Sequence, residues 1–161
     1  TPRVILQLSD ILKYTLYETN QQRIKLVKEL ELLRDYVDMH LHRIDKDRAE
    51  IVLKIEGKAG NSDIAPMLLI PFVENSFKHG LQASPGKAFV HIHIEVDQGH
   101  FLFRIKNNLG ITDPLNKGDK NGRGLENTRQ RLELIYPGRH TLILGKKDHT
   151  FEVELKLNLN E

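Results

Sequence analysis

No cysteine occurs in the 161 residues, so neither a disulfide framework nor a thiolate-bound zinc site can be built. That absence suits a reducing cytosol. An excess of one charge is missing too. Lysine and arginine number 24 against 22 acidic residues, for a formal +2. This excludes the strong field of a chain that grips nucleic acid or an anionic membrane. No run approaches the roughly 18 apolar residues of a membrane-spanning helix, and no signal peptide, internal repeat or low-complexity tract is visible. The opening "TPRVIL" reads as the middle of a longer sequence. With 39% hydrophobic and 29% charged residues, the chain reads as soluble and globular, one domain with a small appendage.

Two helices are expected first. Ile5, Leu8, Ile11, Leu12 and Leu16 recur at helical spacing, and Val27, Leu30, Leu33, Val37, Leu41 and Ile44 do so again after a polar turn. "EIVLKIE" then alternates as a strand does, and Pro66 opens a helix to about His79 that stops at Gly80, with Pro71 bending its early turns. A hairpin comes next. Gln98-Gly99 is the expected two-residue turn, pairing Val96 with Phe101, Ile94 with Phe103 and Ile92 with Ile105. His91, His93, Glu95, Arg104 and Lys106 share the other face, and the same parity puts Asn107 on the apolar side, where a buried amide needs a partner. A long polar loop, "LGITDPLNKGDKN", leads through "GRG" into a helix with Leu125, Thr128, Leu132 and Ile135 on one side. Two strands, "HTLILG" and "TFEVELKLNL", close the chain. The order argues for α+β architecture, a sheet with helices packed on one face.

The helix "IPFVENSFKHG" is the unusual element. At about 100° per residue, Asn75, Lys78, His79 and Gln82 fall within roughly a third of its circumference. An amide oxygen suits Mg²⁺, a lysine suits phosphate, and an imidazole adds a donor or acceptor. Taken alone, a solvated face explains the pattern as well. The glycines of "NGRGLENTRQRL" add a second signal, because free N–H groups at a helix start can receive phosphate. His91 and His93 alternate on one face and could hold a metal, although alternation on an exposed strand produces that pattern unaided.

"PMLLIPFVENSFKHG" and "NGRGLENTRQRLELIYPG" resemble the N box and the glycine-rich G2 region of the LytS/YehU-like sensor histidine kinases. "LSDILKYTLYE…LVKELELLRDYVDMHLHRI" is similar to that family's segment between phosphoacceptor and ATP-binding domain. The resemblance implies a two-layer α/β sandwich of the Bergerat type, with a mixed, mostly antiparallel sheet, preceded by N-terminal helices. It places a dimerisation and linker portion over residues 1–46 and an ATP-binding catalytic domain over 47–161. It implies ATP and Mg²⁺ as ligands, with Asn75 holding the metal and Lys78 and His79 near the phosphates. Gly110, Gly122, Gly124 and the backbone at Leu125 belong to the lid region and nucleotide site. Asn127 and Arg131 match the G2 helix, in contact with nucleotide or packing that helix. The resemblance implies that Glu74 acts with the phosphoacceptor helix. Asn107 stands where the superfamily has an aspartate that accepts from the adenine amino group. The implied partners are the phosphoacceptor helix of its own or a second subunit, a response regulator and a second copy of the full-length protein. The implied location is the cytoplasmic side of a bacterial membrane that anchors the whole protein.

Three departures bear on function. "NNLGI" replaces Asp-x-Gly-x-Gly, so the adenine acceptor loses its charge, which leaves room for a degenerate module acting by protein contacts. No "PHF"-like phosphoacceptor motif occurs, and His40 and His42 do not match one, so the chain is expected to bind ATP without phosphorylating itself. Where hydrolytic relatives carry a water-activating glutamate stands Pro71, which cannot act as a base and weakens an ATPase or phosphatase reading.

Overall fold

The structure, a computed structural model, describes residues 2–17, 21–81, 86–109 and 122–160, with backbone alone for 13–17, 122 and 123. In chain order the elements are α1 (Pro2–Tyr17), β1 (Ile24–Lys25), α2 (Leu26–Leu41), β2 (Ala49–Gly57), β3 (Asp63–Ile64) and α3 (Ile70–Ser76). A π-helical turn, Phe77–Leu81, extends α3; then come β4 (Ala88–Asp97), β5 (His100–Asn108), α4 (Gly122–Ile135), β6 (His140–Lys147) and β7 (Thr150–Asn158). Five strands form one sheet in the order β2-β4-β5-β7-β6, while β1 and β3 pair separately. Only β2 and β4 run parallel, Ile51 beside Val90 and Ile55 beside Ile94; the remaining pairs are antiparallel.

Period-two alternation selects the inner face. Val90, Ile92, Ile94, Phe101, Phe103, Ile105, Val153, Leu155 and Leu157 are buried there, against Leu30, Leu33 and Val37 of α2, Phe72 and Val73 of α3 and Leu132 of α4. Residue 46, where the sequence reading divides the chain, lies between α2 and β2, two elements that both feed this core. The hairpin has the expected register, Ile92↔Ile105, Ile94↔Phe103 and Val96↔Phe101. Gln98 and Gly99 both take positive φ, 46° and 83°, as the tight turn demands.

The helix boundaries differ from those the periodicity predicts. α2 begins at Leu26 because Lys25 is held in β1 opposite Asp63 and the Leu26 N–H donates to Ser62 O at 2.8 Å. Leu26 therefore points into the core, and Val27, expected inside, is 44% exposed; Ile44 falls beyond the helix end. Residues 66–69 are a turn, not the first turn of a helix. Pro71 consequently sits at the start of α3, where its missing N–H has no intrahelical partner to lose, and causes no bend. Gly80 is not a stop, since the π turn carries through it to Leu81. No described helix is long and apolar enough to cross a membrane.

Tyr136, just past α4, ties the smaller pieces to this body. Its hydroxyl accepts the buried Ala65 N–H at 2.9 Å, and the Arg23 and Arg139 guanidinium carbons lie 4.6 and 5.9 Å from its ring centre. Tyr136→Phe leaves that N–H without an acceptor, and we expect a loss of about 1–3 kcal/mol in urea unfolding. An unchanged unfolding midpoint would show that the hydroxyl holds nothing.

Candidate functional site

Phe72, Val73, Ser76 and Phe77 bury the inner side of α3, which leaves Asn75 half-buried at its rim. The Asn75 amide has no protein partner among the described residues. The π turn then shifts the phase of the residues after Ser76. A uniform α-helix would keep Lys78 and His79 together on Asn75's face; the wider turn leaves Lys78 exposed and turns His79 inward to 7% exposure. Gln82, placed on that face by sequence, lies outside the described residues, as does Gly110. Glu74 is exposed and faces α2. Burial first, then the charge of Glu74, pushes the Tyr36 hydroxyl up to about 12. Tyr36, His40 and Phe77 form a ring cluster joining α2 to the π turn, with burial lowering the His40 imidazole.

Gly80 brings the π turn against the end of β5. A Cβ there would lie 2.9 Å from Asn107 Cβ, so only glycine permits this approach. Asn107 is fully buried, as hairpin parity requires. Its Nδ2 donates to Asn108 O at 2.8 Å, but its Oδ1 is buried with no partner among the described residues. A buried oxygen left this way is an acceptor for which the described residues supply no donor. Asn108 braces the strand end, accepting the Phe89 N–H at 2.7 Å.

α4 packs beside α3. Gly122 and Gly124, expected before the helix, lie within its first turn, so their N–H groups are among those that no helix carbonyl reaches. Gly124 and Asn127 are exposed and Leu125 half-buried. Thr128 faces inward and bonds back to Gly124 O at 2.9 Å. Arg131 points away from that first turn: its guanidinium donates to Pro66 O at 2.6 Å and Met67 O at 3.3 Å. These bonds tie α4 to the backbone of residues 66–67.

Sequence reasoning missed Glu29. It sits on α2 with 1% exposure, and its carboxylate accepts the N–H groups of Met67 at 3.0 Å, Leu68 at 2.9 Å and Leu69 at 3.3 Å. An acidic residue amid the buried leucines of α2 was the available signal. On the sheet's outer face His91 pairs with Glu50 at 2.8 Å and His93 with Glu56 at 2.6 Å. Glu56, His93 and Glu95 place ligand atoms within 4.8 Å of one another, but Lys54 also binds Glu56, and the group belongs to an exposed ion-pair lattice.

The chain resembles known proteins in both sequence and fold. A model of the histidine kinase family matches residues 1–48. An uncharacterized sensor-like histidine kinase of Staphylococcus epidermidis is 32% identical over 109 residues, 68% of this chain and 21% of that protein. Sensor protein LytS of Oceanobacillus iheyensis is 28% identical over 141 residues, covering 80% of this chain and 24% of its own length. This chain belongs to the sensor histidine kinase family. It spans roughly a fifth to a quarter of these curated kinases' length. The catalytic domain of histidine kinase ThkA superposes with a TM-score of 0.61 at 14% identity, over 85% of this chain and 96% of that one. The histidine kinase domain from Erythrobacter litoralis EL346 gives 0.58 at 14% identity, over 98% of this chain and 74% of its own. Both show that this segment of the kinase has the α+β fold of histidine kinase catalytic domains.

Proposed function

We propose that this chain is the ATP-binding, catalytic part of a sensor histidine kinase and serves transfer of the γ-phosphate to a histidine elsewhere in the full-length protein. One observation carries the reading. The rim amide of Asn75 and the unpartnered buried oxygen of Asn107 belong to elements that touch at Gly80, with the first turn of α4 on the neighbouring helix. An adenine amino group is a donor of the kind Asn107 Oδ1 lacks. The donor set fits Mg²⁺, since an amide oxygen is a ligand this ion accepts beside waters and phosphate oxygens. Asn75 would hold the ion, which when bound supplies charge neutralisation on the phosphates. Lys78 offers a point charge from the same element, and the N–H groups of Gly122, Gly124 and Leu125 offer an anion-binding helix start. His79 is turned inward just before Gly80, the residue that meets Asn107, and Asn127 stays on the exposed side of the lid helix. Gly110 lies in the segment before that helix and is proposed as part of the lid. Phosphoryl transfer asks chiefly for this positioning and neutralisation.

Because α2 shares the core of the sheet, we include α2 with residues 47–161 in the proposed catalytic part. Ile5, Leu8 and Leu12 of α1 stay on the surface, a stripe suited to pairing with another copy in the full-length protein. One ThkA structure is of a complex with the response regulator TrrA, superposing with a TM-score of 0.57 at 14% identity. We place a response regulator among the partners here on family grounds. The uncharged Asn107 favours a second reading, a binding module without phosphotransfer.

Calorimetry with a non-hydrolysable ATP analogue, with and without Mg²⁺, tests the proposal: magnesium-dependent binding supports it, and its absence leaves the module reading. Asn107→Asp restores a charged acceptor, and charged hydrogen bonds are roughly twice as strong. Affinity should rise about tenfold, or about 1.4 kcal/mol. An unchanged value would remove Asn107 from the adenine pocket.

A further inference from the structure

Met67 is a non-glycine residue with φ of 55°, in the left-handed region that L side chains rarely adopt. It immediately precedes the segment that leads into α3, and both of its backbone polar groups are taken by charged side chains from other helices. Its N–H goes to Glu29 Oε2 on α2 at 3.0 Å, and its C=O receives Arg131 Nη1 on α4 at 3.3 Å. The same two side chains take the flanking groups: Glu29 accepts from Leu68 and Leu69, and Arg131 donates to Pro66 O. Across residues 66–69, α2 thus takes the three N–H groups of Met67, Leu68 and Leu69, and α4 takes the two carbonyls of Pro66 and Met67.

Nothing local explains the left-handed turn. Met67 offers none of the side-chain hydrogen bonding that lets asparagine or aspartate visit this region. A strained backbone persists only where its surroundings over-determine it; here buried Leu68 and Leu69 anchor one side, and the groups that meet Met67's own N–H and C=O are one carboxylate and one guanidinium. Leu69 accepts the first helical N–H groups of α3, from Phe72 at 3.2 Å and Val73 at 3.3 Å, so the path through Met67 fixes where α3 starts and where Asn75 comes to lie.

We propose that Met67 is a pivot held between α2 and the lid helix α4, and that Glu29 and Arg131 are positioning residues that set Asn75 without touching nucleotide. The functional half of this rests on the nucleotide-binding reading above; the pivot itself does not. Displacement of α4 then pulls on the Met67 carbonyl, and displacement of α2 pulls on its N–H, so each helix acts on Asn75 through one residue.

Two measurements on the 161-residue chain separate these halves. The first is the Met67 Cα and Cβ chemical shifts, which report its backbone region whether or not nucleotide binds. Glu29→Gln and Arg131→Ala should each move them toward the ordinary right-handed or extended range. Left-handed shifts kept in both folded variants would overturn the pivot. The second is affinity for a non-hydrolysable ATP analogue with Mg²⁺. Glu29→Gln should weaken it about tenfold, the lower end for loss of a supporting partner. Met67→Gly in that background should recover it, because glycine takes the left-handed turn without a clamp. A purely structural Glu29 would give a variant whose melting temperature, but not affinity, returns with Met67→Gly, and that outcome refutes the positioning role. Should the unaltered chain bind no analogue, the functional reading fails, and the shifts alone decide the pivot.

Discussion

Asn75→Ala in the full-length protein is expected to abolish phosphotransfer, and in the 161-residue chain to weaken the magnesium-dependent affinity for an ATP analogue by at least about 100-fold, beyond what loss of a supporting group costs. The side chain lies at the rim of α3 with no described protein partner, so its removal breaks no internal hydrogen bond and opens no cavity. Thermal stability without ligand should therefore stay within about 0.5 kcal/mol of the parent, the range for surface changes. This contrast makes the substitution informative. A folded variant that still transfers phosphate would take Asn75 out of the metal site, and one that fails to fold would show that the amide has a structural role. On the proposed metal role, binding without Mg²⁺ should change far less than binding with it.

The largest stability effect is expected one turn earlier on the same helix. Phe72 is fully buried, and its ring lies 5.8 Å from that of Phe103, also fully buried, at the middle of β5. The pair seats α3 on the strand that carries Asn107 four residues further on. Phe72→Ala removes the ring and leaves a cavity in a packed core, at about 3–5 kcal/mol. For a domain of this size that lowers the melting temperature by about 10 °C. Nucleotide affinity should fall as well, through loosened seating of Asn75, although Phe72 itself is fully buried in the core. A cost below about 1 kcal/mol would mean that α3 is not held to the sheet through this ring.

How much was legible in the sequence depends on how local the determining interaction is. The hairpin register and the burial of Asn107 rest on strand alternation and a two-residue turn, both contained within 20 residues. The predicted strand positions and the face bearing Leu132 are of the same kind. The helix start at residue 66 was misread because Met67 is set by Glu29, 38 residues earlier, and Arg131, 64 residues later. No propensity reports such a pair. The π turn was equally hidden, since a wheel drawn at 100° assumes the winding it is meant to test, and His79 was accordingly put beside Lys78. Val27 was misplaced for a comparable reason, a two-residue pairing between Lys25 and Asp63 that fixes the phase of α2. Family resemblance named residues for the site without saying that Arg131 holds backbone.

The parallel pairing of β2 with β4 has a consequence for how this fold assembles. Strands that run the same way cannot be joined by a tight turn, so the connection must cross over a face of the sheet, and here that crossover is the stretch containing α3. Among the described residues β2 is also an edge strand with a single neighbour in its sheet, and such strands are candidates for early opening. Peeling residues 49–57 away frees one anchor of the crossover while the four antiparallel-linked strands stay zipped. The polar rim of the helix would then lose its seat in a partly open form, well short of global unfolding, and amide exchange at residues 70–81 should keep pace with that outer strand, not with the hairpin beside it.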